Sequence, residues 1–157
     1  MSRRECPPIP EVALIRAYSP AEAAQWAQDW LAVYGKDRQG MNTKDFLWHV
    51  FSGGRYPSLS GAEAMSTYRQ QTGVEFVVLA NDRKQALLLS QPPQGPPWSD
   101  CYVFPPNLAW TLAFTHEAGW LGPYFARHPD FAALNHANQL KLQKRLEAER
   151  ARAKGWC

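Results

Sequence analysis

Apolar and polar positions recur along this chain with two periods, and the switches between them mark out its elements. Between residues 20 and 34, Trp26, Trp30 and Tyr34 recur at spacing four, the repeat of one helix face. Ser19-Pro20 with Glu22 opens that helix: a hydroxyl N-cap, a proline at the first helical position and an acid in the first turn. Gly35 closes it, and the aromatic stripe reads as core. Residues 11–18 (EVALIRAY), 45–52 (DFLWHVFS), 74–80 (VEFVVLA), 85–90 (QALLLS), 100–104 and 108–116 read as strands. In 45–52 both sides of the alternation are apolar, which predicts a central strand ended by Gly53-Gly54. Asn81-Asp82-Arg83-Lys84 predicts a hairpin turn. Ser60 followed by Glu63 predicts a capping box on a helix ending near residue 71. Asp130 predicts the cap of a last helix reaching about residue 154, docked through Phe131, Leu134, Leu142 and Leu146.

Proline and glycine set the connections. Residues 6–10 form a proline-rich lead-in, and residues 91–98 (QPPQGPPW), with four prolines in eight positions, predict a stiff surface loop. Gly119, Gly122 and Pro123 break the chain before Tyr124-Phe125. The expected architecture is α+β: a largely antiparallel sheet with two packed helices and a charged C-terminal helix. No internal repeat divides it. Residues 1–157 read as one domain, with a globular core over 11–127 and a basic, partly exposed helix over 128–157.

Composition supports that picture. At 157 residues and 45% hydrophobic, with seven Trp, six Tyr and seven Phe, the chain can fill one core. Only 20% of residues are charged, which argues against wholesale disorder. No apolar run approaches the roughly 20 residues of a membrane span, and the first twenty residues lack the apolar stretch of a secretory signal. The formal charge of +3 is unevenly spread. Residues 141–154 hold six Lys/Arg against two Glu, a net of +4, leaving 11 basic and 12 acidic residues, a net of −1, elsewhere. A nucleic-acid-binding body normally carries a basic face of its own, so any such role would fall to the terminal helix. The three cysteines, Cys6, Cys101 and Cys157, form no CxxC and no even framework. Together these features predict a cytoplasmic protein with no membrane partner, no disulfides, no metal and no cofactor.

Candidate chemistry rests on few residues. His116-Glu117 could form an acid/base pair, and His49 could join His116 across neighbouring strands, as in a metal-independent ribonuclease. Adjacent strand residues point to opposite faces, however, so His116 and Glu117 are expected to diverge unless a bulge intervenes. Hydrogen-bonded structural histidines are the plainer reading. Cys101 reads as a small buried hydrophobe whose thiolate the neighbouring Asp100 would disfavour. The other route to function is recognition by exposed aromatics: Trp98 at the edge of the proline loop, Trp120 in the glycine turn, and Tyr124 beyond it.

Two segments, residues 47–52 (LWHVFS) and 104–125 (FPPNLAWTLAFTHEAGWLGPYF), give the chain its family resemblance. It resembles a small uncharacterised family of bacterial single-domain proteins, a domain of unknown function with a WT…THE.GW.GPYF signature. The resemblance spans about residues 11–127 and implies no catalytic residues. Such small proteins are similar in size and class to immunity proteins of bacterial toxin systems. The reading is therefore a non-catalytic, cytoplasmic immunity protein that neutralises a cognate toxin by direct binding. The alternatives are a small hydrolase or nuclease using His49, His116 and Glu117, or an RNA-binding protein using the basic C-terminal helix.

Overall fold

A computed structural model of the chain describes residues 13–40, 43–117 and 120–154. The expected lead-in at 6–10, the first two residues of the strand expected over 11–18, Gly119, and Cys6 and Cys157 lie outside the described residues.

The first helix forms as its capping residues dictate. In α1 (Pro20–Tyr34) the Ser19 hydroxyl accepts from the Glu22 amide, and the Glu22 carboxylate accepts from the Ser19 amide. The stripe turns inward: Trp30 and Tyr34 are buried and Trp26 is half-buried. Seven strands follow the order β1 (Leu14–Ala17), β4 (Ala86–Leu89), β3 (Phe76–Ala80), β5 (Cys101–Phe104), β6 (Trp110–Phe114), β7 (Tyr124–Arg127), β2 (Leu59–Ser60), and each neighbouring pair is antiparallel. The fold is α+β.

Because side chains alternate across a strand, the sheet feeds two cores. Val77, Leu79, Tyr102, Phe104 and Ala113 meet α1 on one face, together with α2 (His49–Ser52). Phe76, Val78, Val103, Trp110 and Leu112 meet α3 (Gly61–Arg69) on the other, where the start of α4 (Phe131–Ala153) also packs through Phe131 and Leu134. Trp30, Trp48 and Trp110 are all fully buried. Each such ring removes on the order of 200 Å² from water, about 5 kcal/mol before ordering costs.

Several expectations are corrected. Residues 45–52 are not a strand: they form turns leading into α2, with Phe51 N–H bonded to Trp48 O (2.9 Å) and Gly53 N–H to His49 O (2.8 Å). The apolar run there reflects burial on many sides, since Leu47, Trp48 and Val50 are wholly enclosed. Tyr124–Arg127, unassigned from the sequence, is a strand paired to β6. Ser60 sits at the start of α3, yet its side chain makes no capping bond, and the same holds for Asp130 at α4. Leu146 does not dock: it is 44% exposed. No helix among the described residues is long and apolar enough to cross a membrane.

Candidate functional site

One short polar side chain ties three distant segments together. Asp100, immediately before β5, is 11% exposed at its side chain. Its Oδ1 accepts from Trp48 Nε1 (2.9 Å), from the His116 amide (3.0 Å) and from His116 Nδ1 (3.0 Å), with Oδ2 also 3.0 Å from Nδ1. The pairing of β5 with β6 brings it there. Cys101 lies opposite Phe114 in the register, so Asp100 falls beside the end of β6.

The third segment, residues 45–49, is held from below. The Leu47 amide donates to Asn81 Oδ1 (3.1 Å), the Trp48 amide to the Tyr102 hydroxyl (3.0 Å), and that hydroxyl in turn to Asn81 Oδ1 (2.6 Å). Phe46 and Trp48 are thereby stacked at 5.3 Å, and the His116 ring lies 5.0 Å from Phe46.

His116 and Glu117 do meet. His116 Nε2 is 3.5 Å from Glu117 Oε2. The strand ends at Phe114, so residues 116 and 117 sit in a turn where the two-sided alternation no longer applies. Both imidazole nitrogens thus face carboxylates. The hydrogen bond to Asp100, reinforced by the charges of Asp100 and Glu117, raises the pKa of His116 above the usual histidine value, against a smaller opposing effect of desolvation.

This predicts a pH dependence with a defined sign. The charged form is favoured on folding, so the contribution is complete below the unfolded value of 6.5 and is lost as pH rises through the higher folded midpoint. The stability advantage of the wild type over His116→Gln is expected to shrink as pH is raised from 6 towards 9. The His116 Cε1–H NMR resonance should titrate above 6.5. A midpoint at or below that value, or an advantage that grows with pH, would contradict the arrangement.

The remaining candidates are distributed as follows. His49 flanks the same two rings, 4.6 Å from Trp48 and 5.8 Å from Phe46, but its Nδ1 lies 3.4 Å from Ser52 Oγ and it makes no bond to His116. Cys101 is fully buried in the opposite core, because it alternates with Asp100 and Tyr102, and it cannot reach His116. Trp98 is half-buried against that same core rather than displayed on the proline loop. Tyr124 is 6% exposed, its ring packed on Trp48 and Phe51, so it is no surface anchor. Burial, then the nearby Glu117 charge, raises its pKa. Trp120 is different: it is 84% exposed. No group of three or more His, Cys, Asp or Glu among the described residues is arranged to hold a metal.

The loop carrying Trp120 is braced. The Trp120 and Leu121 amides both donate to Glu117 O (3.0 and 2.8 Å), and the Thr115 hydroxyl donates to Leu121 O. Gly122 has φ +94°, and a Cβ there would lie 2.9 Å from Thr115 Cγ2, so glycine alone fits this close approach. Sequence reasoning weighed Trp120 but missed Asp100 as the hub; pairing residues across the β5–β6 turn would have placed it beside Thr115 and His116.

A family model described as a domain of unknown function (DUF4275) matches residues 23–125, which takes in Asp100, His116, Glu117 and Trp120 and stops short of α4. No curated protein and no solved structure matches the chain.

Proposed function

This chain belongs to the family described as a domain of unknown function (DUF4275), and we propose that it is a non-catalytic protein-binding module whose contact surface centres on Trp120. The observation that carries this reading is the 84% exposure of Trp120 on a loop hydrogen-bonded at its base. An exposed tryptophan buries a large area at small entropic cost when a partner covers it, and such residues dominate binding energy. The adjacent His116 is engaged with Asp100 and Glu117, which suits a charged rim around the anchor better than a free general base. Within that role the partner is a bacterial toxin, and the chain is the cytoplasmic immunity protein that covers it.

Co-expression with the product of the neighbouring gene tests the proposal. A stable complex and protection of the cells are expected. Trp120→Ser should weaken the complex by at least about 30-fold, roughly 2 kcal/mol, with little change in melting temperature. Absence of both complex and protection, or full affinity in Trp120→Ser, removes the reading. If instead His116→Ala leaves fold and complex intact but abolishes the biological effect, the hydrolase alternative replaces it.

A further inference from the structure

We infer that α4, from Lys141 at the edge of the body outward, is a nucleic-acid-binding arm, in which Lys141, Lys144, Arg145 and Arg152 form a cationic stripe for a phosphodiester backbone. The surface is separate from the Trp120 loop, and the inference does not depend on that reading.

The arm is built in two halves. The first is docked: Asn107 Nδ2 donates to Leu134 O (3.1 Å) and to Asn138 Oδ1 (3.0 Å), and Gln139 Nε2 donates to Thr72 Oγ1 (2.9 Å). Past Leu142 every residue to Lys154 is exposed except the half-buried Ala151. Helical spacing then does the rest. Positions i, i+3, i+4 and i+11 share one side of a helix, so the four cations line a stripe about 16 Å long at 1.5 Å per residue. None of the four lies within ion-pair distance of a described carboxylate, so their charge is not neutralised internally. Glu147 and Glu149 flank the stripe on its two sides, three residues from Lys144 and four from Arg145.

Two features favour a polyphosphate chain over an acidic protein. The cores of protein interfaces are depleted in lysine and lean on aromatic anchors. On the face that carries these four cations only alanine and polar side chains lie between them, the exposed Leu146 falling on the opposite side of the helix, and α4 past Leu142 has no aromatic residue among those described. With no ring among the described residues of the stripe to stack on bases, binding would go through the backbone, without sequence preference and with strong salt dependence.

The test is fluorescence anisotropy of the full chain with a labelled single-stranded RNA of about 20 nucleotides and mixed sequence. With three to four phosphates neutralised, affinity is expected to fall about 20- to 50-fold between 50 and 200 mM salt. The variant Lys141→Gln/Lys144→Gln/Arg145→Gln/Arg152→Gln should lose most of the affinity and flatten the salt dependence. Its helicity and melting temperature should hold, since glutamine is a good helix former. Trp120→Ser should bind the RNA like the wild type, which separates this inference from the one above. No binding at 50 mM salt, or full binding by the fourfold variant, overturns it. Equal competition by a poly-glutamate peptide of matched charge, or a dimer in solution abolished by the same substitutions, overturns it in favour of an acidic protein or a second copy.

Discussion

Asp100→Ala is expected to lower the stability of the folded chain by about 3 kcal/mol, or its melting temperature by about 6–12 °C. The size follows from what the carboxylate holds. Trp48 is fully buried, and its indole N–H has Asp100 Oδ1 as its acceptor. Leaving that donor unpaired costs about 1–3 kcal/mol. The His116 amide and imidazole lose the same partner, but both lie near solvent and can be rehydrated, so they add less. Asp100→Asn is the informative companion. It keeps an oxygen for Trp48 and for the His116 amide but removes the charge, so it should cost only about 1 kcal/mol. It should also bring the His116 titration back towards 6.5. Urea unfolding of both variants, with NMR titration of His116, measures each part. A loss below about 1 kcal/mol in Asp100→Ala would mean that the three segments are held together without the carboxylate, by packing and by the Asn81 and Tyr102 hydrogen bonds.

That hub also shows what the sequence made legible and what it hid. Local signals were reliable where the chain is its own context. Ser19, Pro20 and Glu22 announce α1, and the capping box they imply is formed. The turn at residues 81–84 announces the β3–β4 hairpin, which pairs as expected, with Asp82 Oδ1 accepting from the Lys84 amide at 2.8 Å. The side-chain caps expected at Ser60 and Asp130 do not form, and the two misread segments, 45–52 and 124–127, share a cause: long-range partners override local pattern. Residues 45–52 alternate like a central strand, but their backbone is held by Asn81 and Tyr102, residues far along the chain. Tyr124–Arg127 is too short to show a strand period, and its place is set by β6 on one side and β2 on the other. The site divides in the same way. His116 and Glu117 were visible as residues, but their meeting depended on where β6 ends. Trp98 and Tyr124 looked displayable because both follow proline-containing loops, yet each had room to turn inward. Nothing local distinguishes them from Trp120, whose neighbour Leu121 is hydrogen-bonded to Thr115 and whose neighbour Gly122 packs closely on it, while its own ring is exposed.

The largest single loss is expected at the middle of the aromatic stripe, where Trp30→Ala should remove about 4 kcal/mol and lower the melting temperature by roughly 8–16 °C. Trp30 is wholly buried against Tyr34 (5.3 Å), Phe51 (5.6 Å) and Tyr102 (5.1 Å), and its indole N–H donates to Thr111 Oγ1 at 3.0 Å. Truncation therefore opens a cavity under three rings and strands a hydroxyl acceptor in the sheet. Two milder changes apportion the effect. Trp30→Phe and Thr111→Val each leave one buried partner of that bond unpaired, whereas the double variant removes both. The double variant should accordingly be about 1 kcal/mol more stable than the sum of the single losses predicts. The consequence reaches the surface through Tyr102, which rests on Trp30 and whose hydroxyl accepts from the Trp48 amide. Loosening Tyr102 frees Trp48, and through Trp48 the carboxylate that fixes His116. The His116 titration midpoint of Trp30→Ala should then move down towards 6.5, although the substitution lies in the core and touches neither Asp100 nor Glu117. An unchanged midpoint in a folded Trp30→Ala would show that the surface cluster stands without support from the helix beneath it.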